Sequence, residues 1–290
     1  MKQILLYLTI VACGLFVCCK GKDKKTDKPV IPAAQRTSLH ENHLLGEVKS
    51  VTDTKYMVLP FPDGHDSLVF FSTKYDTYTR NGDLSSSVIT NTQGDTVYAM
   101  TATFDNNGRM TRSDIFDYLH GENEYTLYFY DDKGHRVKED HYIGDSLDYE
   151  HICTNDPSGN VEQMTVRQDN DTYILNYYYG DNGLPIRIEW ISPRMGNDPY
   201  QCQSLQYDNR GNVINRSATL NGRNVEYYHA QYNDNGLLIK EIGQKSLPNI
   251  LEEIVTEYSQ HDSHGNWTLQ KNTKNNIPNY IIERKIEYYH

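Results

Sequence analysis

The chain has 290 residues, 37% of them hydrophobic, a formal charge of -11, and 24 tyrosines against 5 cysteines and 2 tryptophans. Most basic residues of the first 38 positions lie in short clusters, so residues 39–290 keep 21 basic against 37 acidic side chains, a charge of about -16. A domain this acidic has no electrostatic footing on phosphate backbones, which excludes nucleic acid as a partner.

At the N-terminus, Met1-Lys2-Gln3 leads into an apolar run from Ile4 to Val17, then Cys18-Cys19 and the polar string opened by Lys20-Gly21-Lys22. A basic start, a short apolar stretch and an abrupt polar exit predict an export signal, too short to span a bilayer comfortably. A cysteine at the exit marks a bacterial lipoprotein signal, whose thiol takes a diacylglycerol. Cys19 is the favoured site, because it precedes the polar string and follows the small Cys18. The alternatives are Cys18, which follows the bulkier Val17, and Cys13, whose use would leave Leu15-Phe16-Val17 on the mature chain. Acyl chains contribute about 0.8 kcal/mol per buried CH2, enough for lasting attachment. The chain is thus divided into a lipoprotein signal over 1–19, a disordered tether over 20–38 and one β-repeat domain over 39–290. The expected address is the cell envelope, lipid-anchored on the outer membrane and facing the periplasm or the outside.

From residue 78 onward the sequence repeats. Tyr78-Thr79-Arg80-Asn81-Gly82 is followed by related pentapeptides that end at Gly108, Gly134, Gly159, Gly183, Gly211, Gly236 and Gly265, spaced 24 to 29 residues apart. An Asp or Asn three before the glycine accepts backbone N–H groups across a tight turn. The glycine then takes the left-handed conformation that closes a three-residue hairpin with a bulge. Such a hairpin sets the residue four before the glycine against the residue two after it. Tyr78/Leu84, Phe104/Met110, Tyr207/Val213, Tyr232/Leu238 and His261/Trp267 then make aromatic-to-apolar pairs. Tyr130/Arg136, Asn155/Val161 and Tyr179/Pro185 break that match.

Between these turns lies a second set of loop signals: Gly94-Asp95, Gly121-Glu122, Gly144-Asp145, Asp169-Asn170, Gly196-Asn197, Asn221-Gly222 and Asn275-Asn276. Each unit therefore reads as two strands and two turns of an antiparallel meander. The fold class is all-β: about eight hairpin repeats, some sixteen strands plus one around Gly46–Val51. So many strands exceed what an open sheet tolerates without curling. The predicted form is a long twisted sheet curled into an open spiral or partial barrel, half wet because its aromatics are mostly tyrosine. Cys153 and Cys202 lie about four strands apart, beyond the ~7 Å reach of a disulfide, and are expected as buried free thiols.

The units Tyr207-Asp208-Asn209-Arg210-Gly211-Asn212-Val213 and His261-Asp262-Ser263-His264-Gly265-Asn266-Trp267 resemble the YD repeats of the RHS family, here in a short lipoprotein form. The similarity covers about residues 70–290 and bears on fold more than on activity. In large members such repeats wrap a shell around a C-terminal toxin or mediate surface contact and glycan binding. Here the sequence ends at Tyr288-Tyr289-His290 after a final strand, so toxin delivery is not expected.

A search for chemistry returns no Gly-x-Ser-x-Gly elbow, Walker loop or His-Glu-x-x-His motif. His261 and His264 have a spacing that metals use, but one takes the repeat's tyrosine position and the other is a turn residue. His40 and His43 beside the tether are expected to be solvent-exposed. The turn acids lack the alternating ligand order of a calcium loop. Hence no enzyme activity, metal or cofactor is expected. Asp66-Ser67-Leu68, Asp95-Thr96-Val97 and Asp145-Ser146-Leu147 resemble an O-glycosylation sequon and nominate Ser67, Thr96 and Ser146. The irregular central units nominate Tyr128, Tyr130, Tyr177 and Tyr179 as ligand contacts. The expected function is a non-catalytic envelope binding or scaffold module for a glycan or an envelope protein. Alternatives are a purely structural envelope component, or a carbohydrate-active hydrolase or lyase with paired acids on a concave face.

Overall fold

The computed structural model describes residues 18–19, 33, 36–60, 66–247 and 250–290. Cys13 and most of the tether lie outside these residues, and of Cys18–Cys19 only a two-residue antiparallel bridge to Arg210–Gly211 is described. A one-turn helix, α1 (Ser38–Glu41), precedes the sheet. Eighteen strands then follow: β1 (Val48–Pro60), β2 (Asp66–Tyr78), β3 (Leu84–Thr90), β4 (Thr96–Phe104), β5 (Met110–Asp117), β6 (Glu122–Tyr130), β7 (Arg136–Ile143), β8 (Ser146–Asn155) and β9 (Val161–Gln168). The second half comprises β10 (Asp171–Tyr179), β11 (Pro185–Ile191), β12 (Gln201–Tyr207), β13 (Val213–Leu220), β14 (Arg223–Tyr232), β15 (Leu238–Leu247), β16 (Ile250–His261), β17 (Trp267–Lys274) and β18 (Ile277–Tyr288).

Each strand pairs antiparallel with the next, and β18 pairs back onto β1, so the meander closes into a barrel. This corrects the expected open spiral. The reason lies in β1, which carries no repeat signature and serves as the seam. Its Val48–Met57 stretch runs against Tyr280–Tyr288, and Asp53 receives both arms of the Arg284 guanidinium at 2.7 Å. Closure removes the two free edges that an open sheet would leave.

All eight repeat turns keep the expected register, from Tyr78 against Leu84 to His261 against Trp267, and the first seven stand beside a one-residue irregularity. In the turn itself, Asp105 Oδ1 accepts the backbone N–H of Asn107 and of Arg109, both at 2.9 Å. Asp131, Asp156, Asp208, Asn233 and Asp262 repeat this double contact. The N–H groups of Arg109 and His135 hold the Asp105 and Asp131 carboxyls below the usual range.

Successive turns are also stitched together. The hydroxyls of Tyr130, Tyr179 and Tyr207 donate to the carbonyls of Met110, Val161 and Pro185 at 2.8, 2.9 and 2.5 Å, each in the preceding unit. Where the tyrosine is replaced by Asn155, its amide donates to the Arg136 carbonyl at 2.9 Å. The units that break the aromatic-to-apolar match therefore keep the bond between repeats. A fixed tyrosine serves as a hydrogen-bond donor here as much as a packing group.

Following the register from strand to strand sorts the side chains onto two faces. One face holds Val51, Tyr78, Cys153, Met164, Ile188, Leu205, Val213, Ala218, Ala230 and Trp267, all buried, and is the inner wall. The other carries ion pairs at mid-strand: Lys138 with Asp140 at 3.0 Å and with Glu150 at 2.7 Å, and Arg167 with Glu150 at 3.0 Å. The free Cys153 and Cys202 fall on opposite faces, Cys153 buried and Cys202 half-buried, which separates them more firmly than strand count alone.

Eighteen strands at about 4.8 Å spacing give a round section at least roughly 27 Å across at the backbone. Side chains from one wall cannot fill such a lumen. Accordingly Ile89, Tyr98, Met100, Ile115, Tyr173 and Trp190 on the inner wall stay half-buried. The densest core lies instead at the mouth ringed by the repeat turns. There Leu39 and Leu44 pack on Val48, Val51 and Tyr78, with Leu84, Ile286 and Tyr288 around them.

Candidate functional site

The mouth with the repeat turns is capped by the segment around α1. Leu39 N–H donates to the Gly82 carbonyl at 3.0 Å, and Ser38 Oγ accepts the Leu84 N–H at 2.9 Å. On another side of the mouth, Leu45 exchanges two hydrogen bonds with the Asn266 amide, at 2.7 and 2.9 Å. His43 faces the Tyr232 ring at 6.5 Å between centroids. One short segment thus reaches the first, seventh and eighth turns. His40 and His43 are half-buried in it, a correction to their expected exposure. Burial, aided by Arg36, pushes the His43 imidazole down to about 4, and burial pushes Glu41 up to about 7. The sequence places these residues directly after the tether, with no strand or turn signal of their own. Two leucines, Leu39 and Leu44, are enough to seat them.

Away from the cap, the inner wall gathers titratable and aromatic groups on β6–β8. The rings of His141, Tyr149 and His151 form a stacked column, with centroids 4.4 and 4.7 Å apart. His151 Nδ1 lies 3.2 Å from Glu139 Oε2, and His141 Nδ1 lies 3.1 Å from Thr126 Oγ1. Burial opposes the charge of Glu139, but the His151 hydrogen bond and the Arg136 guanidinium at 2.9 Å more than offset it and leave its carboxyl below the usual range. Burial pushes His141 down despite the Glu124 carboxylate 3.7 Å from its Nε2. An ionised carboxylate only accepts, so Nδ1 of His151 is the donor to Glu139 and Nε2 is the ring's remaining polar atom.

A second network crosses β14–β18. The Glu241 carboxylate accepts the hydroxyls of both Tyr228 and Tyr258. Tyr258 packs on Trp267 at 5.2 Å, and the Arg284 guanidinium lies 3.5 Å over that indole while paired to Asp53. Burial raises both tyrosines far beyond their usual range, so their hydroxyls keep their protons and donate them to Glu241. Among the described residues, no group of three or more His, Cys, Asp or Glu side chains is placed to hold a metal ion.

The four nominated tyrosines all lie on the inner wall but in two separate places, Tyr128 and Tyr130 on β6 and Tyr177 and Tyr179 on β10. Tyr128 shares a hydrogen bond with Ser113 at 3.2 Å, and the Tyr130 and Tyr179 hydroxyls are engaged in the stitching described above. Their neighbours alternate: Tyr125, Tyr178 and Tyr227 face outward, the last two 44% and 43% exposed. Ser67, Thr96 and Ser146 all fall toward the mouth opposite the repeat turns, Ser146 exposed and the others half-buried. His264 stacks on Tyr288 at 3.8 Å, as a turn residue does. An open hollow of about 600 Å³ lies between the fifth and sixth repeat turns, lined by Gly180, Asn182, Ile186, Leu205 and Tyr207 among others. It arises where Gly180 replaces the turn Asp, and it holds none of the histidines or glutamates of the inner wall.

Sequence reasoning missed His141, Tyr149, His151 and Glu241. Glu139, His141, Tyr149 and His151 join Tyr130's face only because the one-residue bulge after Arg136 shifts the alternation from even to odd positions.

Fold and site together define a closed all-β barrel of antiparallel hairpins with a polar, aromatic inner wall. No family model matches the chain, and no curated protein matches it. Among solved structures it is similar to a porin-like protein from Bacteroides uniformis ATCC 8492, with 12% identity, a TM-score of 0.46, and coverage of 84% of this chain and 98% of that one. It is also similar to TcdB2-TccC3-TEV, at 12% identity and a TM-score of 0.37. That match covers 76% of this chain but spans only 15% of the other.

Proposed function

We propose that this chain is a non-catalytic binding module of the cell envelope, held to a membrane by an N-terminal lipid, that takes a neutral glycan against its inner wall. The observation that carries this reading is the half-buried inner wall itself. Stacked rings on β6–β8 lie among carboxylate, imidazole and hydroxyl groups that match sugar hydroxyls, and most of the charges beside them are already paired. Aromatic rings give apolar area to the C–H faces of a sugar, while the polar groups fix its orientation. A charged ligand would have to displace internal ion pairs, whereas a neutral one does not.

The outward ion pairs favour an anchored barrel over a membrane-spanning one. Charges such as Lys138 and Arg167 at mid-strand would each cost about 2–4 kcal/mol on a lipid-facing wall. The test is binding of neutral oligosaccharides from envelope or dietary glycans to the folded protein, read by array and calorimetry. Tyr149→Ala should lower affinity at least tenfold without changing the far-ultraviolet circular dichroism. Folded protein that binds none of them, or binding indifferent to Tyr149→Ala, sinks the reading.

A further inference from the structure

The fifth residue after each turn glycine pairs across its hairpin with an inner-wall side chain, from Ser87 against Asp76 in the first unit to Gln270 against Tyr258 in the eighth. All eight turns stand at one mouth, so equal steps from them set these residues at one level, a ring of inward-facing side chains just beneath the cap. Of the eight, Glu139 and Glu241 alone are acidic. They belong to the third and seventh units, on β7 and β15, eight strands apart one way round the barrel and ten the other. The two glutamates therefore face each other across the lumen.

Each glutamate grips polar partners on its own wall. Glu139 is buried and takes the His151 imidazole at 3.2 Å and the Arg136 guanidinium at 2.9 Å, which leaves the half-buried Tyr149 and His151 to meet the lumen. Glu241 is half-buried and accepts the hydroxyls of Tyr228 and Tyr258. A carboxylate has about four lone-pair sites, so Glu241 keeps room for further hydroxyl donors. Beside it Arg216, which holds the same ring position in the sixth unit, has a buried Nε without a hydrogen-bond partner. These bonds all join residues of the same or adjoining strands, and none crosses the lumen. With backbone walls at least roughly 27 Å apart, the two carboxylates stay beyond the roughly 5–10 Å of a hydrolytic pair.

We infer that Tyr228, Glu241 and Tyr258 form a second subsite facing the first, and that the ligand is a neutral oligosaccharide long enough to touch both walls at once. This rests on the glycan reading above and narrows it. The repeat supplies the geometry: one position in the unit fixes the depth, and four units carry the chain halfway round the barrel. A short sugar reaches one wall alone. A longer one makes the second contact an intramolecular step, which raises affinity when its length matches the span. The cap closes the level above the ring, so the sugar enters by the other mouth.

The test is calorimetric binding of neutral glucan and mannan oligosaccharides, from two to eight units long, to the full chain. The longest should bind at least tenfold tighter than the shortest, with one chain per protein. Glu241→Gln and Tyr258→Phe should each weaken the longest at least fivefold and leave the shortest within twofold, which also shows that the variant is folded. Affinity that ignores length, two long chains per protein, or a length advantage that survives both substitutions overturns the second subsite and leaves the first standing. Folded protein that binds no member of the series overturns both.

Discussion

The two mouths of the barrel are built on opposite principles, and their glycines show it. At the repeat-turn mouth, a Cβ on Gly108, Gly134, Gly159 or Gly265 would meet the side chain of Asn81, Arg109, His135 or Leu237 from the preceding turn. At the other mouth, Gly94, Gly121, Gly144, Gly196 and Gly222 have nothing within 4 Å of that position. Both sets have positive φ. One mouth is a stacked ring of near-identical turns, stitched by tyrosine hydroxyls and capped by α1. The other is a rim of independent loops. The repeat thus concentrates order at one end and leaves the other free to vary.

The comparison breaks most sharply at a pair of matched glycines. Gly159 has φ +88° and a Cβ there would lie 2.6 Å from the His135 ring, whereas Gly94 has φ +86° and open space. Alanine at either pays the left-handed penalty of about 1 kcal/mol. Only Gly159→Ala must also push the stacked histidine aside, for a total of roughly 2–3 kcal/mol. Urea unfolding of the two variants should differ accordingly. Equal losses would mean that the stack contributes nothing.

A smaller effect belongs to the cap. Glu41, raised to about 7 from an ordinary 4.5, binds its proton more tightly when the cap is seated, so docking weakens as pH rises from about 4.5 through 7. His43, lowered to about 4 from 6.5, works the other way, and docking weakens as pH falls from 6.5 through 4. Between about 4.5 and 6.5 the two slopes oppose. The amide-exchange protection factors of residues 38–45, corrected for the intrinsic pH dependence of exchange, should therefore be highest across that plateau and fall on both sides, by at most about tenfold per pH unit for a single proton. Glu41→Gln should remove the loss above pH 6.5 and leave the loss on the acid side. A cap whose protection ignores pH in both proteins would refute the assignment.

The turns were fully legible because Tyr78, Asp105, Gly108 and their equivalents are local signals, and local register followed from them to the residue. Closure was not legible. β1 carries no repeat signature, and its pairing with β18 depends on the Asp53–Arg284 contact, 231 residues apart in sequence. The inner wall was half legible: the turn pentapeptide fixes which face Tyr130 takes, but Glu139, His141 and His151 come together only through strand-to-strand register. His40 and His43 were misjudged because a polar segment beside a tether reads as exposed until the mouth it covers is known.

The smallest prediction tests whether the repeat signature itself is causal. In the fifth turn Gly180 stands where six of the other turns carry Asp or Asn, and the Leu184 N–H turns instead to Asn182 Oδ1 at 3.3 Å. A Cβ on Gly180 meets Asn182 and Ile186 at 3.3 Å, tight but movable, and its φ is not left-handed. Gly180→Asp should therefore restore the two backbone contacts that Asp208 makes one turn later and shed glycine's unfolded-state entropy, at the expense of the weaker Asn182 contact. The net gain is roughly 0.5–1 kcal/mol, visible as a higher urea midpoint with an unchanged slope. The same change fills part of the hollow between the fifth and sixth turns. If glycan binding persists in this stabilised variant, the inner wall and not that hollow holds the ligand. Loss of binding with stability gained would move the site to the one turn where the repeat departs from its own rule.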